Sequence, residues 1–282
     1  MTERLGDDHL FAGAAPYYRR GRLPYAPGLT AALAEALGLD GRGRLLDMGC
    51  GPGTLALELA ELFAEVVGVD PDAGMLTEAT REAAARGLTG RVRWVRARAE
   101  QLPHDIGTFT VAAFAQSFHW MDRAAVAAAT RELLRPGGVL VHVSDLKPET
   151  RSAAGLPGPP VPRDRIAELV ARYLGPVRRA GRKLLPQGTP GGEREILAAA
   201  GYSGPRRLVV PGGEVLERSA DDVMAGVFSL SYSAPHLFGP RLGSFEAESR
   251  ALLREVSGPG VFHERQPDTE VFLWGTGVGP EA

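Results

Sequence analysis

Short apolar runs alternate with longer helix-patterned stretches from Arg44 to Ser144, and this alternation predicts repeated βα units around a mostly parallel sheet. Arg44–Met48 reads as a buried strand, Gly49–Gly53 as a turn, and Thr54–Ala64 as a helix with apolar residues at Leu55, Leu59, Leu62 and Phe63. Val66–Asp70 is the second strand. Pro71 fits the start of the next helix and Gly87 its end, with Arg81 and Arg86 toward the negative end of its dipole. Val92–Ala97, Thr110–Ser117 and Val139–Ser144 read as three further strands, and Ala124–Leu134 as a helix closed by Pro136-Gly137-Gly138. Together they predict an α/β fold with a doubly wound sheet. Past Asp145 the pattern breaks: Leu156-Pro157-Gly158-Pro159-Pro160 cannot continue regular structure, and Pro and Gly stay frequent through Pro190. A helix near Gly192–Ala200, a strand at Arg207–Val210, two more helical stretches and a strand at Thr269–Trp274 complete the chain.

Composition narrows the partners more than the fold. The chain has 282 residues, 44% hydrophobic and 23% charged, which is ordinary globular usage. Its formal net charge of −2 gives no reason to expect nucleic acid as partner. A single cysteine and no Cys/His cluster argue against a disulfide scaffold and against a metal site, and suit a cytoplasmic redox setting. No apolar run reaches the length of a membrane span, and Met1–Arg20 lacks the apolar stretch of a secretory signal.

The informative chemistry lies in Leu45-Leu46-Asp47-Met48-Gly49-Cys50-Gly51-Pro52-Gly53, a glycine cluster between a strand and a helix. Chain reversal and close ligand approach both favour residues without Cβ there. The second strand ends at Asp70, where a carboxylate can accept hydrogen bonds from both hydroxyls of a ribose. A dinucleotide fingerprint is Gly-x-Gly-x-x-Gly, whereas this loop is Gly-x-Gly-x-Gly with Asp47 two residues ahead. A pyrophosphate wants donors, while S-adenosyl-methionine has no phosphate and carries an ammonium that an acid at the loop's mouth would suit. Cys50, with no base beside it in sequence, reads as a packing residue.

These residues resemble the class I S-adenosyl-methionine-dependent methyltransferases, in particular the methyltransferase-domain group of bacterial small-molecule and trans-aconitate-type enzymes. The resemblance rests on Leu45–Gly53, on Val66–Pro71 with Met75 following, and on Ala97–Pro103. Gln116-Ser117-Phe118-His119-Trp120 and Glu132–Gly138 are similar to further family segments, and Tyr17–Tyr25 looks like the aromatic and arginine segment that covers the cofactor. The resemblance implies a Rossmann-like, seven-stranded sheet whose last strand runs antiparallel, plus a cover or lid insertion. It divides the chain into a cover segment 1–43, a cofactor-binding core 44–145, an insertion or lid 146–190, and a C-terminal part 191–282 that adds substrate-pocket helices and the last strands. The cofactor-binding set it implies is Tyr18, Asp47, Gly49, Cys50, Gly51, Gly53, Asp70, Pro71, Met75, Ala99, Glu100, Gln116, Ser117 and Trp120. Met75 would pack on the adenine, with Ala99 and Glu100 near it, and Leu102-Pro103 would close that loop. Many members carry Asp just before the Ala-Glu pair; this chain carries Arg98.

Methyl transfer from a sulfonium is an in-line displacement with a good leaving group, so alignment is the protein's main task. An alcohol or phenol acceptor needs a base, and His119, after the fourth strand at the carboxyl edge, is the candidate for general base or acceptor positioning. His142 reads as a core histidine, while Phe228, Tyr232, His236 and His263 are candidates for an acceptor pocket. The expected activity is methylation of an O or N atom of a small molecule, in bacterial secondary metabolism. The alternatives are a carboxyl methyltransferase of trans-aconitate type and a cofactor-retaining protein with a cyclisation or binding role. The basic residues Arg163, Arg165, Arg178, Arg179, Arg182 and Lys183 fit a lid, a solvated surface or a clamp for an acidic substrate.

Overall fold

The computed structural model describes residues 10–103, 105–146, 155–177, 179–180, 183–185 and 191–277. The chain runs α1 (Ala15–Gly21), α2 (Leu29–Leu37), β1 (Arg44–Met48), α3 (Thr54–Glu58), β2 (Glu65–Asp70), α4 (Ala73–Ala85), β3 (Val92–Arg96), β4 (Phe109–Ala115), α5 (Arg123–Leu133) and β5 (Leu134–Asp145). Then come α6 (Arg163–Leu174), the two-residue ladder β6 (Arg179–Ala180) and β7 (Lys183–Leu184), α7 (Glu193–Ala199), β8 (Ser203–Val210) and β9 (Val215–Ser219). The chain closes with α8 (Ala220–Phe228), α9 (Leu242–Val256), β10 (Val261–Arg265) and β11 (Thr269–Gly275).

Seven strands form one sheet in the order β3-β2-β1-β4-β5-β11-β8. β1 to β5 pair in parallel, and β11 runs antiparallel to both of its neighbours. This is the expected Rossmann-like α/β sheet with an antiparallel last strand. Successive strand residues face opposite sides. Leu45, Val66 and Val111 accordingly pack with α2 and α3 on one face, while Leu46, Val67 and Ala112 pack with α5 and α7 on the other. The strand order reverses between β1 and β4, so their carboxyl ends open a crevice at the switch point.

Several sequence expectations need correction. The helix expected over Thr54–Ala64 is α3 alone, followed by a 3-10 turn at Ala60–Leu62, because Phe63 must already be extended to lead into β2. Pro71 precedes the α4 cap instead of opening the helix; Asp72 is the cap and accepts from Gly74 N and Met75 N. β5 begins at Leu134, pairing with Phe109, so Pro136-Gly137-Gly138 lies inside an irregular strand and not at a helix stop. The expected Pro/Gly-rich insertion contains the twelve-residue helix α6. Its Ile166, Leu169, Val170 and Leu174 join Phe228, Phe238, Phe245 and Phe262 in a third hydrophobic cluster. The i, i+3, i+4 spacing that forms this stripe is present in the sequence. Arg163 and Arg165 pair with Glu264 and Glu255, whereas Arg178 and Arg182 lie outside the described residues, as do the side chains of Arg179 and Lys183.

The N-terminal segment reaches the switch point by packing α1 on α8. A Cβ on Gly21 would sit 2.3 Å from the backbone carbonyl of Ala225 and 2.4 Å from Gly226 N, so the two helices touch through backbone. Gly21→Ala is expected to lift α1 from α8 and lower stability by about 1–3 kcal/mol. Gly243→Ala, on α9 with open space around the new methyl, is expected to raise stability by up to about 1 kcal/mol. Thermal melts followed by circular dichroism check both directions.

Candidate active site

The crevice at the switch point is built on two acids. Asp70, 9% exposed at the end of β2, accepts from Gly51 N at 2.9 Å through one oxygen and from Asp72 N at 2.9 Å through the other. One carboxylate thus pins the glycine loop after β1 and the turn after β2. Burial pushes its pKa up to about 6 against the opposing pull of those two amides. Asp47 lies inside β1, fully buried, accepting from Ala56 N at 3.2 Å, while its Oδ1 has no partner among the described residues. Burial pushes it further, to about 7.

Around Asp70 a cavity is lined by Gly49, Gly51, Val69, Pro71, Met75 and Ala97–Glu100, and by Leu10, Phe11 and Tyr18 of the N-terminal segment. Gln116, Ser117, Trp120 and Met121 line it from the β4 side. Gly51 has φ 54°, and a Cβ there would meet no atom within 4 Å, so the missing side chain leaves cavity space. Ser117 Oγ donates to Met48 O, and Glu100 accepts from Asp122 N at the α5 cap, which fixes the β4 loop against β1 and the β3 loop against α5. A chamber of about 960 Å³ adjoins this cavity, a size suited to a metabolite-sized ligand. Phe11, Tyr18, Gln116, Ser117 and Trp120 line both spaces. Phe11 stands edge-on to Tyr18 and to Trp120, with ring centroids 6.1 and 6.4 Å away.

Of the residues expected at the cofactor, eleven line the first cavity: Tyr18, Gly49, Gly51, Asp70, Pro71, Met75, Ala99, Glu100, Gln116, Ser117 and Trp120. Asp47, Cys50 and Gly53 do not. Asp47 sits beneath the loop and not at its mouth, tying β1 to the first turn of α3. Cys50 is buried with its thiol pushed well above its usual range, in keeping with packing. Gly53 is the α3 cap against Trp94. Leu102, expected to close the adenine loop with Pro103, packs into the core, and neither residue lines the cavity.

His119 lines only the chamber, with its ring 4.2 Å from that of Trp120. His142 also lines it, packed between Phe114 and Phe118 and pushed down to about 4 by burial and by His119. Tyr232 lines the chamber too, but Phe228, His236 and His263 do not: Phe228 is core, and His236 bonds Ala12 O. Leu10 and Phe11 escaped the sequence reading because no motif precedes α1; their only signal is an apolar pair just ahead of the aromatic segment.

Residues 45–138 match the family profile described as a methyltransferase domain. That match makes residues 45–138 a methyltransferase domain, and together with the sheet order it supports a class I S-adenosyl-methionine-dependent methyltransferase. An uncharacterized methyltransferase of Mycobacterium tuberculosis is 29% identical over 199 residues, 71% of this chain and 73% of that one. Demethylmenaquinone methyltransferase of Thermus thermophilus is 40% identical over 116 residues, 40% of this chain and 51% of its own. Among solved structures, a candidate methyltransferase of Bacillus halodurans shares the fold with a TM-score of 0.50, over 88% of this chain and 99% of that chain, at 17% identity.

The cavity fits that cofactor. A carboxylate offers about four lone-pair sites; two on Asp70 are taken by amides, which leaves capacity for two hydroxyl donors. The amide of Ala56, in the first turn of α3, already bonds Asp47, which disfavours an anionic pyrophosphate in the same place.

Asp47 also yields a stability prediction. Its folded pKa of about 7 lies above the unfolded value, so the folded state holds the proton more tightly and stability is lost as pH rises from about 4 to about 7. Asp47→Asn cannot ionise. Its melting temperature relative to the parent is expected to rise from pH 5.5 to pH 8.5, by the equivalent of about 2 kcal/mol. A gap independent of pH would contradict a buried, neutralised carboxyl.

Proposed function

We propose that the chain methylates an O or N atom of a small-molecule acceptor, with cofactor in the Asp70 cavity and acceptor in the adjoining chamber. One observation carries this reading: Phe11, Tyr18, Gln116, Ser117 and Trp120 wall both spaces, so ligands in the two would meet there. Asp70 would take the ribose hydroxyls. Met75 and Ala99 would flank the adenine, and Gly49 and Gly51 would admit the amino-acid portion. The cofactor supplies an electrophilic methyl when bound, and the protein's work is orientation. His119, beside Trp120 but outside the cofactor cavity, would position the acceptor and remove its proton.

Calorimetric titration with S-adenosyl-homocysteine, NAD and NADP tests the first half. Binding of the first alone is expected, weakened on the order of a hundredfold in Asp70→Ala by loss of two charge-assisted hydrogen bonds. NAD or NADP binding without it would overturn the assignment. Asp70 must be ionised to accept from two hydroxyls, so affinity is expected to be level above about pH 7 and to fall as pH drops through about 6. With an acceptor in hand, His119→Asn is expected to lower kcat by about a hundredfold or more while leaving S-adenosyl-homocysteine affinity unchanged. Equal losses in kcat and cofactor affinity would assign His119 to the cofactor pocket.

A further inference from the structure

Every acid of the chamber wall that reaches an arginine is already paired. Glu264, 7% exposed, lies between Arg163 and Arg218; Asp222 holds Arg20; Glu270 holds Arg207. Arg22 is the exception. It ends α1, lines the chamber, and stacks over the Tyr18 ring with its guanidinium carbon 4.8 Å from the centroid. One Nη donates to Ser229 O at 3.0 Å, so the fork is held in a fixed orientation. Yet among the described residues Arg22 meets no carboxylate, and its buried Nε finds no acceptor. A half-buried cation left with an unmet donor is costly unless something else supplies the acceptor. Ser231, 7% exposed, lines the chamber two residues beyond that carbonyl and adds a hydroxyl with no hydrogen-bond partner among the described residues.

We infer that Arg22, with Ser231, anchors a carboxylate of the acceptor, fixing which end of the molecule enters the chamber and which end faces Trp120. This rests on the chamber being the acceptor site, as proposed above. The planar fork matches a carboxylate's two oxygens, and the aromatic face of Tyr18 behind it holds the plane in place. Tyr18 also walls the cofactor cavity, so the anchor is one ring away from the junction. The anchored carboxylate is not the atom methylated. It leaves the reaction unchanged, and the product keeps its charge.

The test is calorimetry on the full chain saturated with S-adenosyl-homocysteine, using matched pairs: benzoate and benzamide, 4-hydroxybenzoate and its amide, 4-hydroxycinnamate and its amide. At least one carboxylate is expected to bind about tenfold or more tighter than its amide, the scale of one charge-assisted hydrogen bond. Arg22→Met should abolish that preference while leaving the amide's affinity in place, and Arg22→Lys should keep part of it. Ser231→Ala, which removes no contact of the fold, should weaken the preference and serves if Arg22→Met does not fold. No preference for any carboxylate, including no binding by any probe, overturns the inference, as does a preference that survives Arg22→Met. Failure of S-adenosyl-homocysteine itself to bind overturns the methyl-transfer reading, and this one with it.

Discussion

Two carboxylates sit on adjacent parallel strands, Asp47 inside β1 and Asp70 at the end of β2, and the geometry of the crevice depends on both. Asp47 pairs across the sheet with Gly68, and Asp70 follows two residues later on that neighbouring strand. Burying two acids this close is unfavourable, and the charge of Asp70 adds to the burial that raises the pKa of Asp47. The backbone amides of Gly51, Asp72 and Ala56 offset that cost, and in doing so they commit the glycine loop, the α4 turn and the first turn of α3 to one arrangement. The cavity is therefore shaped before any ligand arrives, and the acid that faces it is already oriented.

The rest of the molecule builds a second space beside that crevice by laying a further hydrophobic cluster over the strand ends. The sheet and its flanking helices form two clusters, one on each face. The phenylalanine-rich cluster of α6, α8 and α9 carries one side of the chamber wall, opposite Phe114, Phe118 and Phe272 of the sheet side. The N-terminal segment bridges them: Met75 packs with Ala14 and Ala15 on the cofactor side, and Gly21 meets α8 on the other. The part of the chamber wall carried by α6 and α8 can thus vary without disturbing the crevice. The crevice geometry is local to the strand ends, and the wall is a matter of which helices are laid over them.

The sequence carried the sheet and the crevice well because both obey local rules. Strand periodicity, the glycine cluster and an acid at the end of β2 are set by residues close together in the chain. The direction in which Asp47 faces was not legible, because an acid two residues before a glycine loop has the same spacing whether it caps the loop or lies under it. That is decided by the alternation of β1, in which Leu45 and Asp47 share a face. α6 was hidden by its Pro- and Gly-rich flanks, although its apolar stripe was regular. Phe11 and Arg22 belong to the site through contacts far apart in the chain, Phe11 to Trp120 and Arg22 to Ser229. No spacing rule reaches that far.

The junction itself rests on strain. Among the described residues Gln116 is the non-glycine with a positive φ, 55°, a conformation that costs a side-chain-bearing residue on the order of 1 kcal/mol or more. Its N–H bonds Val143 O at 3.1 Å, and its Nε2 donates to Asp145 at 3.1 Å, so β5 holds it from both backbone and side chain. The turn this creates sends Ser117 back to Met48 and Phe118 into the core, and brings His119 and Trp120 to the chamber. A relaxed extended residue at 116 would continue β4 and carry the ring pair away from the crevice. The strained residue therefore accounts for why the two spaces share a wall.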